Sequence, residues 1–347
     1  MTPGLQNADG RFGCDVLGRL TRVMVHQPGD ELRIINDANY RDWLFDRVPD
    51  VHGFAEEHEA YCELLRACGV EVLELSACID DATGKLARMP NITYMHDIAV
   101  VSRRGALLSC MTRPGRRNEH LVVREALRNL GIPIFSEFDE PEDAFEGCLL
   151  LSPQTVLVAE TERHKRRSID KFVRRALSAF DEVLYLKVPP ARRYMHPDTI
   201  YNRITERLSL VYLPAIEAAY LYRKGQAAAA QRPEPERIDF PEFMRARGIE
   251  LVDVSDDEQQ RLACSFVPLE PGVILHYDTA LDTVTRRRLS RKGVEMVFFH
   301  PQALGAGGGS LRCLTLRLHR AGPAQRPARA GDGRSVRQVG PTPRQGE

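Results

Sequence analysis

The chain has 347 residues, 43% of them hydrophobic and 28% charged, with a formal net charge of +0. That length suits one large domain or two smaller ones, and the charge balance leaves no electrostatic footprint for nucleic acid or an anionic membrane surface. No window approaches 18 consecutive apolar residues, and the opening "MTPGLQNADGRFGCDVLGRL" has no apolar core, so neither a membrane span nor a secretory signal is expected.

Residues 1–15 read as an N-terminal extension. Short apolar runs then recur along the chain: "TRVMVHQP", "VEVLEL", "DIAVVS", "GALLSCM", "IPIFSE", "CLLLS", "TVLVAE", "EVLYLKV", "LSLVYLP", "IELVDVS", "GVILHY" and "EMVFFH". Rich in Val, Leu and Ile, they predict buried strands. Between them, apolar residues at three- and four-residue spacing predict helices over 54–68, 119–130, 164–180 and 282–292. Two strands, a helix and a further strand repeat at roughly 50 residues per unit, which gives a mixed α/β chain with internal repetition. Residues 223–240 are polar and rich in Ala and Pro, and predict an exposed loop or frayed helix end. From Ala321 onward Gly, Pro and Arg dominate, so 321–347 predicts a disordered basic tail after a domain spanning 16–320.

The cysteines are Cys14, Cys62, Cys68, Cys78, Cys110, Cys148, Cys264 and Cys313. None forms a CxxC pair or a zinc-like spacing. Most lie in apolar runs, which fits a reducing cytoplasm and buried, reduced thiols. Cys313 differs: it ends "GAGGGSLRCL", whose glycines let a backbone approach a ligand closely. Three polar clusters also precede strand-like runs. Asp97 ends "MPNITYMHD", Glu146 lies in "DAFEGCLLL", and His196 and Asp198 lie in "RRYMHPDTIY". Each alone suits a turn or a solvated strand end. Together they offer a thiol, an imidazole and three carboxylates, an inventory for covalent catalysis on a planar cation.

These segments resemble the arginine deiminase family of guanidino-group-modifying enzymes. The resemblance begins at "GRLTRVMVHQPGDEL" and continues in "WLFDRVP" and "AEEHEAYCELLRACGVEVLEL". "MPNITYMHD" is similar to the family's Pro-Asn-x-x-Phe-Thr-Arg-Asp, and "MTRPGRRNE" to its segment with Arg and Glu three apart. "FEGCLLL" is similar to Glu-Gly-Gly-Asp, "AETER" to Ser-Glu-Arg, "YMHPDTIY" to Met-His-Leu-Asp-Thr, and "GGGSLRCLTLRLHR" to the terminal Gly-Gly-x-x-Cys segment. The ordered set covers residues 18–320.

The resemblance implies a pentein fold, an α/β propeller of five pseudo-repeated units around a central active site. It implies hydrolysis of a guanidino group, arginine or an arginine derivative, to a ureido product such as citrulline plus ammonia, through a Cys-bound thiouronium. Cys313 would be the nucleophile, His196 the general acid and base, and Glu146 the group that orients it. Asp97 and Asp198 would hold the guanidinium, while Asn91, Arg116 and Arg163 would bind the substrate carboxylate, with Tyr94 at the site. No metal or organic cofactor is implied, the partner is a small guanidino compound, and a homo-oligomer fits the family. Two other readings stand beside it: an amidinotransferase that passes the amidino group to an amine, and a catalytically inactive binding protein of the same fold.

The chain departs from the family pattern at named places. Leu149 stands for the Asp of Glu-Gly-Gly-Asp and Cys148 for its second Gly. Met95 and His96 replace Thr and Arg, Tyr94 replaces Phe, and Pro197 replaces Leu. The arginine expected among the final glycines is missing, with Ala306 or Gly308 in its place. Between Leu75 and Met89 only a short segment stands where microbial arginine deiminases carry a helical insertion, so a compact form is expected.

Overall fold

Chain order alone builds the architecture from one repeated unit. The first unit holds strand β1 (Arg19–Val25), helix α1 (Val51–Ala67) and β2 (Glu71–Glu74), with β1 and β2 parallel. The second holds the hairpin β3 (Ala99–Ser102) and β4 (Gly105–Leu108), then α2 (Glu119–Asn129) and β5 (Ile134–Glu137), which lies parallel to β4. The third repeats this with β6 (Leu149–Leu150), β7 (Thr155–Glu160), α3 (Arg166–Ala179) and β8 (Glu182–Lys187). In the fourth, β9 (Tyr201–Thr205) and β10 (Leu208–Val211) are followed by the hairpin β11 (Ala218–Arg223) and β12 (Glu236–Ile238), then α4 (Phe240–Ala246) and β13 (Glu250–Asp253). The inserted hairpin extends the third sheet through β8 instead of its own. After α5 (Asp256–Gln260), the fifth unit holds β14 (Val267–Glu270), β15 (Val273–Tyr277), α6 (Thr283–Arg291) and β16 (Glu295–Phe299). Finally β17 (Leu316–Ala321) returns to pair antiparallel with β1, so the last ordered segment completes the first unit. This computed structural model describes residues 10–138, 144–164, 166–225, 234–322 and 336–338.

Over these described residues the result is a mixed α/β fold of five small sheets. Its apolar residues form clusters between neighbouring sheets. One joins β17 to β3, β4 and α2, another joins β4 to β7, β8 and α3, and another joins β1 and α1 to β14, β15 and β16. Helix α3 shows how the sequence sets this packing. Ile169, Phe172, Val173, Ala176 and Leu177 recur at helical spacing and all are buried. Each large one contributes about 2 kcal/mol of burial, and Phe172→Ala would cost about 3–5 kcal/mol.

Several expectations are corrected. The polar stretch 223–240, expected to be an exposed loop or frayed helix end, instead ends β11 and, in the rest of its described part, forms β12 and opens α4, capped by the Asp239 side chain on the Glu242 amide. An edge strand exposed on both faces needs no apolar alternation, so composition hides it. The tail was expected to be disordered from Ala321. Ala321 ends β17, and β18 (Val336–Gln338) lies parallel to β16; 323–335 and 339–347 lie outside the described residues, as does most of the 1–15 extension. No helix among the described residues is long and apolar enough to cross a membrane.

Candidate active site

Each unit delivers a polar side chain from the segment just before the strand that begins its hairpin. A single-turn helix over Met95–Asp97 leads into β3, Glu146 precedes β6, the turn Pro197–Thr199 leads into β9, Ser265 precedes β14 and Cys313 precedes β17. Asp97, Glu146, Asp198, Ser265 and Cys313 are all buried. A tight turn feeding a buried strand fixes the side chain's direction, so equivalent positions of the repeat point to one place.

His196 Nε2 lies 3.1 Å from Glu146 Oε2 and 3.6 Å from Asp97 Oδ2. Glu146 is fully buried and accepts from the Thr112 amide at 2.7 Å, with Arg163 Nη1 3.5 Å away. Burial alone would raise its carboxyl, but Arg163 and His196 outweigh that and hold it well below the usual carboxylate range. His164 Nε2 accepts the Glu146 amide at 3.0 Å and fixes its backbone. Arg116 donates to both oxygens of Asp97, at 2.7 and 2.9 Å, and to Glu119 at 2.8 Å.

Asp198 lies on the other flank. Ser265 Oγ donates to it at 2.5 Å, His96 Nε2 is 3.3 Å away and Arg312 Nε 3.6 Å. Burial again works to raise this carboxyl, and His96 with Arg312 pull it far down. His96 Nδ1 faces Arg317 Nη2 at 3.0 Å. A guanidinium only donates, so Nδ1 accepts and the ring proton sits on Nε2, toward Asp198. Burial pushes His96 down to about 4, which keeps the imidazole neutral.

Cys313 closes the chain of contacts. Its Sγ lies 3.5 Å from both the amide and the hydroxyl of Ser310, and Ser310 Oγ is 2.7 Å from Ser265 Oγ. Burial, with Asp198 and Asp97 nearby, pushes the thiol up to about 11, against the two Ser310 contacts. The sulfur opens on a small cleft of about 40 Å³ lined by Tyr94, His96, Asp97, His196 and Gly307 to Gly309, with Arg116, Arg163 and Arg192 on its walls. The glycines have a purpose besides ligand approach. A Cβ on Gly307 would meet Tyr94 Oη at 1.4 Å, one on Gly309 would meet the Tyr94 ring at 2.8 Å, and Gly308 adopts φ +67.

The sequence model of the family described as arginine deiminase matches residues 80–320. The chain belongs to the arginine deiminase family. It is thus an enzyme of the class that acts on guanidino groups. The arginine deiminase of Listeria welshimeri is 22% identical over 398 aligned positions, covering 88% of this chain and 97% of the relative. That of Mycoplasma capricolum is 23% identical, covering 88% and 96%. The alignment with the Listeria protein is longer than this entire chain, so the relative carries segments with no counterpart here. Among solved structures, the N-terminal domain of ArgZ, an arginine dihydrolase of Cyanobacteria, is similar with TM-score 0.63 at 17% identity, covering 87% of this chain and 98% of that one. A dimethylarginine dimethylaminohydrolase is similar with TM-score 0.60 at 14% identity, covering 86% and 99%.

Within this member, the structure brings Cys313, His196, Asp97, Asn91, Tyr94, Arg116 and Arg163 to one cleft. Glu146 stands directly behind His196. Three positions differ from expectation. Asp198 is not part of the cleft lining, since His96 covers it. Arg116 is turned onto Asp97 and Glu119, and the Asn91 amide donates to the Trp43 carbonyl at 2.7 Å. Sequence reasoning missed His96, Ser265, Ser310 and Arg192. Arg192 Nη2 lies 3.0 Å from where a Gly308 Cβ would be, so a guanidinium stands beside the glycine loop that lacks its own arginine. Asp97, Glu146 and His196 also place ligand atoms within 4.8 Å of one another, a spacing a metal ion could use. Arg116 and Arg163 already balance those two carboxylates.

Proposed function

We propose that this protein hydrolyses the guanidino group of arginine or an arginine derivative, releasing ammonia and a ureido product, and that its five units are the blades of a pentein propeller. The observation that carries the reading is the convergence of a thiol, a carboxylate-held imidazole and Asp97 on one buried cleft. The clusters that join successive sheets, and the return of β17 to β1, support the ring.

In this mechanism the substrate guanidinium takes the place of Arg116 on Asp97. The released Arg116, with Arg163, Arg192 and Asn91, then faces the substrate's carboxylate, for which a guanidinium fork is a geometric match. The incoming cation lies between Asp97 and Cys313 and stabilises the thiolate. The thiol proton passes to His196, and a C–S bond forms at the guanidinium carbon. His196, steadied by Glu146, returns that proton to a departing nitrogen; the C–N bond breaks and ammonia leaves. A water then adds to the thiouronium carbon as His196 takes its proton, the C–S bond breaks, and the thiolate is regenerated with the ureido product. Asp198 stays one layer back and acts through His96 and through space.

The test is a panel of guanidino compounds scored for ammonia, ureido product and ornithine, with and without an amine acceptor, against Cys313→Ser. Ammonia with citrulline from arginine, abolished in the variant, is expected. Activity surviving in Cys313→Ser would sink the mechanism, and amidino transfer without ammonia would replace hydrolysis by transfer.

A further inference from the structure

A second cavity, of about 50 Å³, shares no lining residue with the cleft. Residues of β3, β6, β9, β14 and β17, the strand that opens each hairpin, contribute to its wall. Four arginines face it: Arg203, Arg312, Arg317 and Arg320. Their protein partners are few. Arg320 donates to the carbonyls of Gly18 and Pro268, and Arg203 to that of Leu151. Arg312 reaches the Phe266 carbonyl at 3.4 Å, and Arg317 reaches His96. Among the described residues one carboxylate, Asp198, comes within ion-pair distance of any of them, at 3.6 Å from Arg312. Buried Nε of Arg203, Nε of Arg312 and Nη1 of Arg317 have no hydrogen-bond partner.

Two buried guanidinium groups, Arg312 and Arg320, and two half-buried ones, Arg203 and Arg317, against one carboxylate is an arrangement that costs free energy for each unpaired ion unless something compensates it. Burial pushes Arg312 down to about 9 and Arg320 to about 10, with repulsion from Arg317 adding to both. A guanidinium does not give up its proton in a protein, so the compensation must come from a counter-charge. Among the described residues Asp198 alone supplies one. Leu149, at the position where the family's motif reads Asp, lines this cavity as an apolar side chain, and Cys14 beside it is a thiol that burial pushes up to about 11.

We propose that this cavity is a binding site for a small inorganic oxyanion of the phosphate or sulfate class, held by the unpartnered nitrogens of Arg203 and Arg317, with Arg312, whose Nε is 3.6 Å from Asp198, adding its positive charge. Tetrahedral oxygens match guanidinium forks arriving from several strands. Because Arg312 also approaches Asp198 and Arg317 holds His96, occupancy is felt at the back of the cleft. The site stands whether or not the reaction proposed above is correct.

The experiment is thermal unfolding of the full chain in chloride, phosphate and sulfate at matched ionic strength, for wild type, Arg203→Met and Arg317→Met. In chloride the variants are expected to melt no lower than wild type, since each loses an uncompensated charge. Phosphate or sulfate is expected to raise the wild-type midpoint by several degrees and to move the variants much less. Oxyanions acting no differently from chloride, or equally on all three proteins, would overturn the proposal. If a variant does not fold, wild-type crystals soaked in selenate decide: an anomalous peak among the three arginines is expected, and an empty cavity at tens of millimolar selenate refutes the site.

Discussion

Arg116 grips Asp97 through both carboxylate oxygens, at 2.7 and 2.9 Å, with neither residue more than 4% exposed. A protein guanidinium thus occupies the carboxylate that the substrate guanidinium needs. Asp97→Asn keeps the shape but removes the charge on both sides of that exchange. Its kcat/KM is expected to fall by about 10²–10³. Because Arg116 is left with Glu119 as its one carboxylate, beside the Tyr94 carbonyl, stability should also fall by about 3–5 kcal/mol. Denaturant unfolding and steady-state kinetics check the two together; a variant that loses stability without losing activity would remove Asp97 from the reaction.

Glu119 shares the same guanidinium with Asp97, and one positive charge cannot neutralise two carboxylates. Burial, with Asp97 and Glu146 nearby, pushes Glu119 up to about 7 against the pull of Arg116. Its Oε1 has no hydrogen-bond partner, so nothing on that oxygen compensates a buried negative charge. A carboxyl raised in the folded state stabilises fully below its ordinary value of 4.5, and that stability is lost as pH rises through about 7. On the order of 3 kcal/mol is at stake. Glu119→Gln should flatten the stability profile between those values. An unchanged slope across pH 4.5–7 in the variant would show that Glu119 is already ionised.

The thiol of Cys313 should be protonated in the free protein. Burial and the neighbouring carboxylates push it up to about 11, so the difference in thiolate absorbance between wild type and Cys313→Ser is expected to grow in only toward that pH. Folding holds this proton tightly, so the associated stability is whole below the ordinary thiol value near ~8.5 and fades as pH climbs through 11. A saturating guanidino compound should move the titration down, because a cation between Asp97 and the sulfur favours the anion. No movement on saturation would remove the cation-assisted activation from the mechanism.

Ser265 joins the two flanks, donating to Asp198 and contacting Ser310, which in turn approaches Cys313. Ser265→Ala leaves the buried Asp198 with one fewer charge-assisted hydrogen bond, a loss of about 1.5–3 kcal/mol. It also frees Ser310 from its anchor. A lower kcat at unchanged KM is the expected signature, read together with a shifted Cys313 titration. A stability loss with an unshifted thiol would make Ser265 structural alone.

Much of this was legible in the sequence because apolar runs mark buried strands whatever their partners. "DIAVVS" and "TVLVAE" became β3 and β7 on that signal. The opening strands β9, β14 and β17 were less visible, since Arg203, Pro268 and Arg317 interrupt their apolar pattern. Ser265 had a signal that went unread: it holds the place before β14 that Asp97 holds before β3 and Cys313 nearly holds before β17. The displacement of Asp198 behind His96, and the turn of Arg116 onto Asp97, had none. Both depend on which buried charge finds which partner in three dimensions, and spacing along the chain does not encode that choice.

The glycine loop gives a sharper test of how Tyr94 is held. Tyr94 Oη is buried without a partner, and the missing side chain of Gly307 makes room for it. Tyr94→Phe, which restores the family's motif residue, removes an unsatisfied hydroxyl and should raise stability by about 1 kcal/mol. Gly307→Ala places a methyl against that hydroxyl and should cost about 1–3 kcal/mol as the ring is driven from its place, with loss of activity because the same loop leads to Cys313. The ring carbon bearing the hydroxyl would still lie 2.5 Å from the new Cβ, so the double variant should recover part of the loss and not all of it. A double-mutant cycle in denaturant measures this coupling. Strict additivity would mean that the loss at Gly307 does not pass through the Tyr94 hydroxyl, and full recovery that the hydroxyl alone sets the limit.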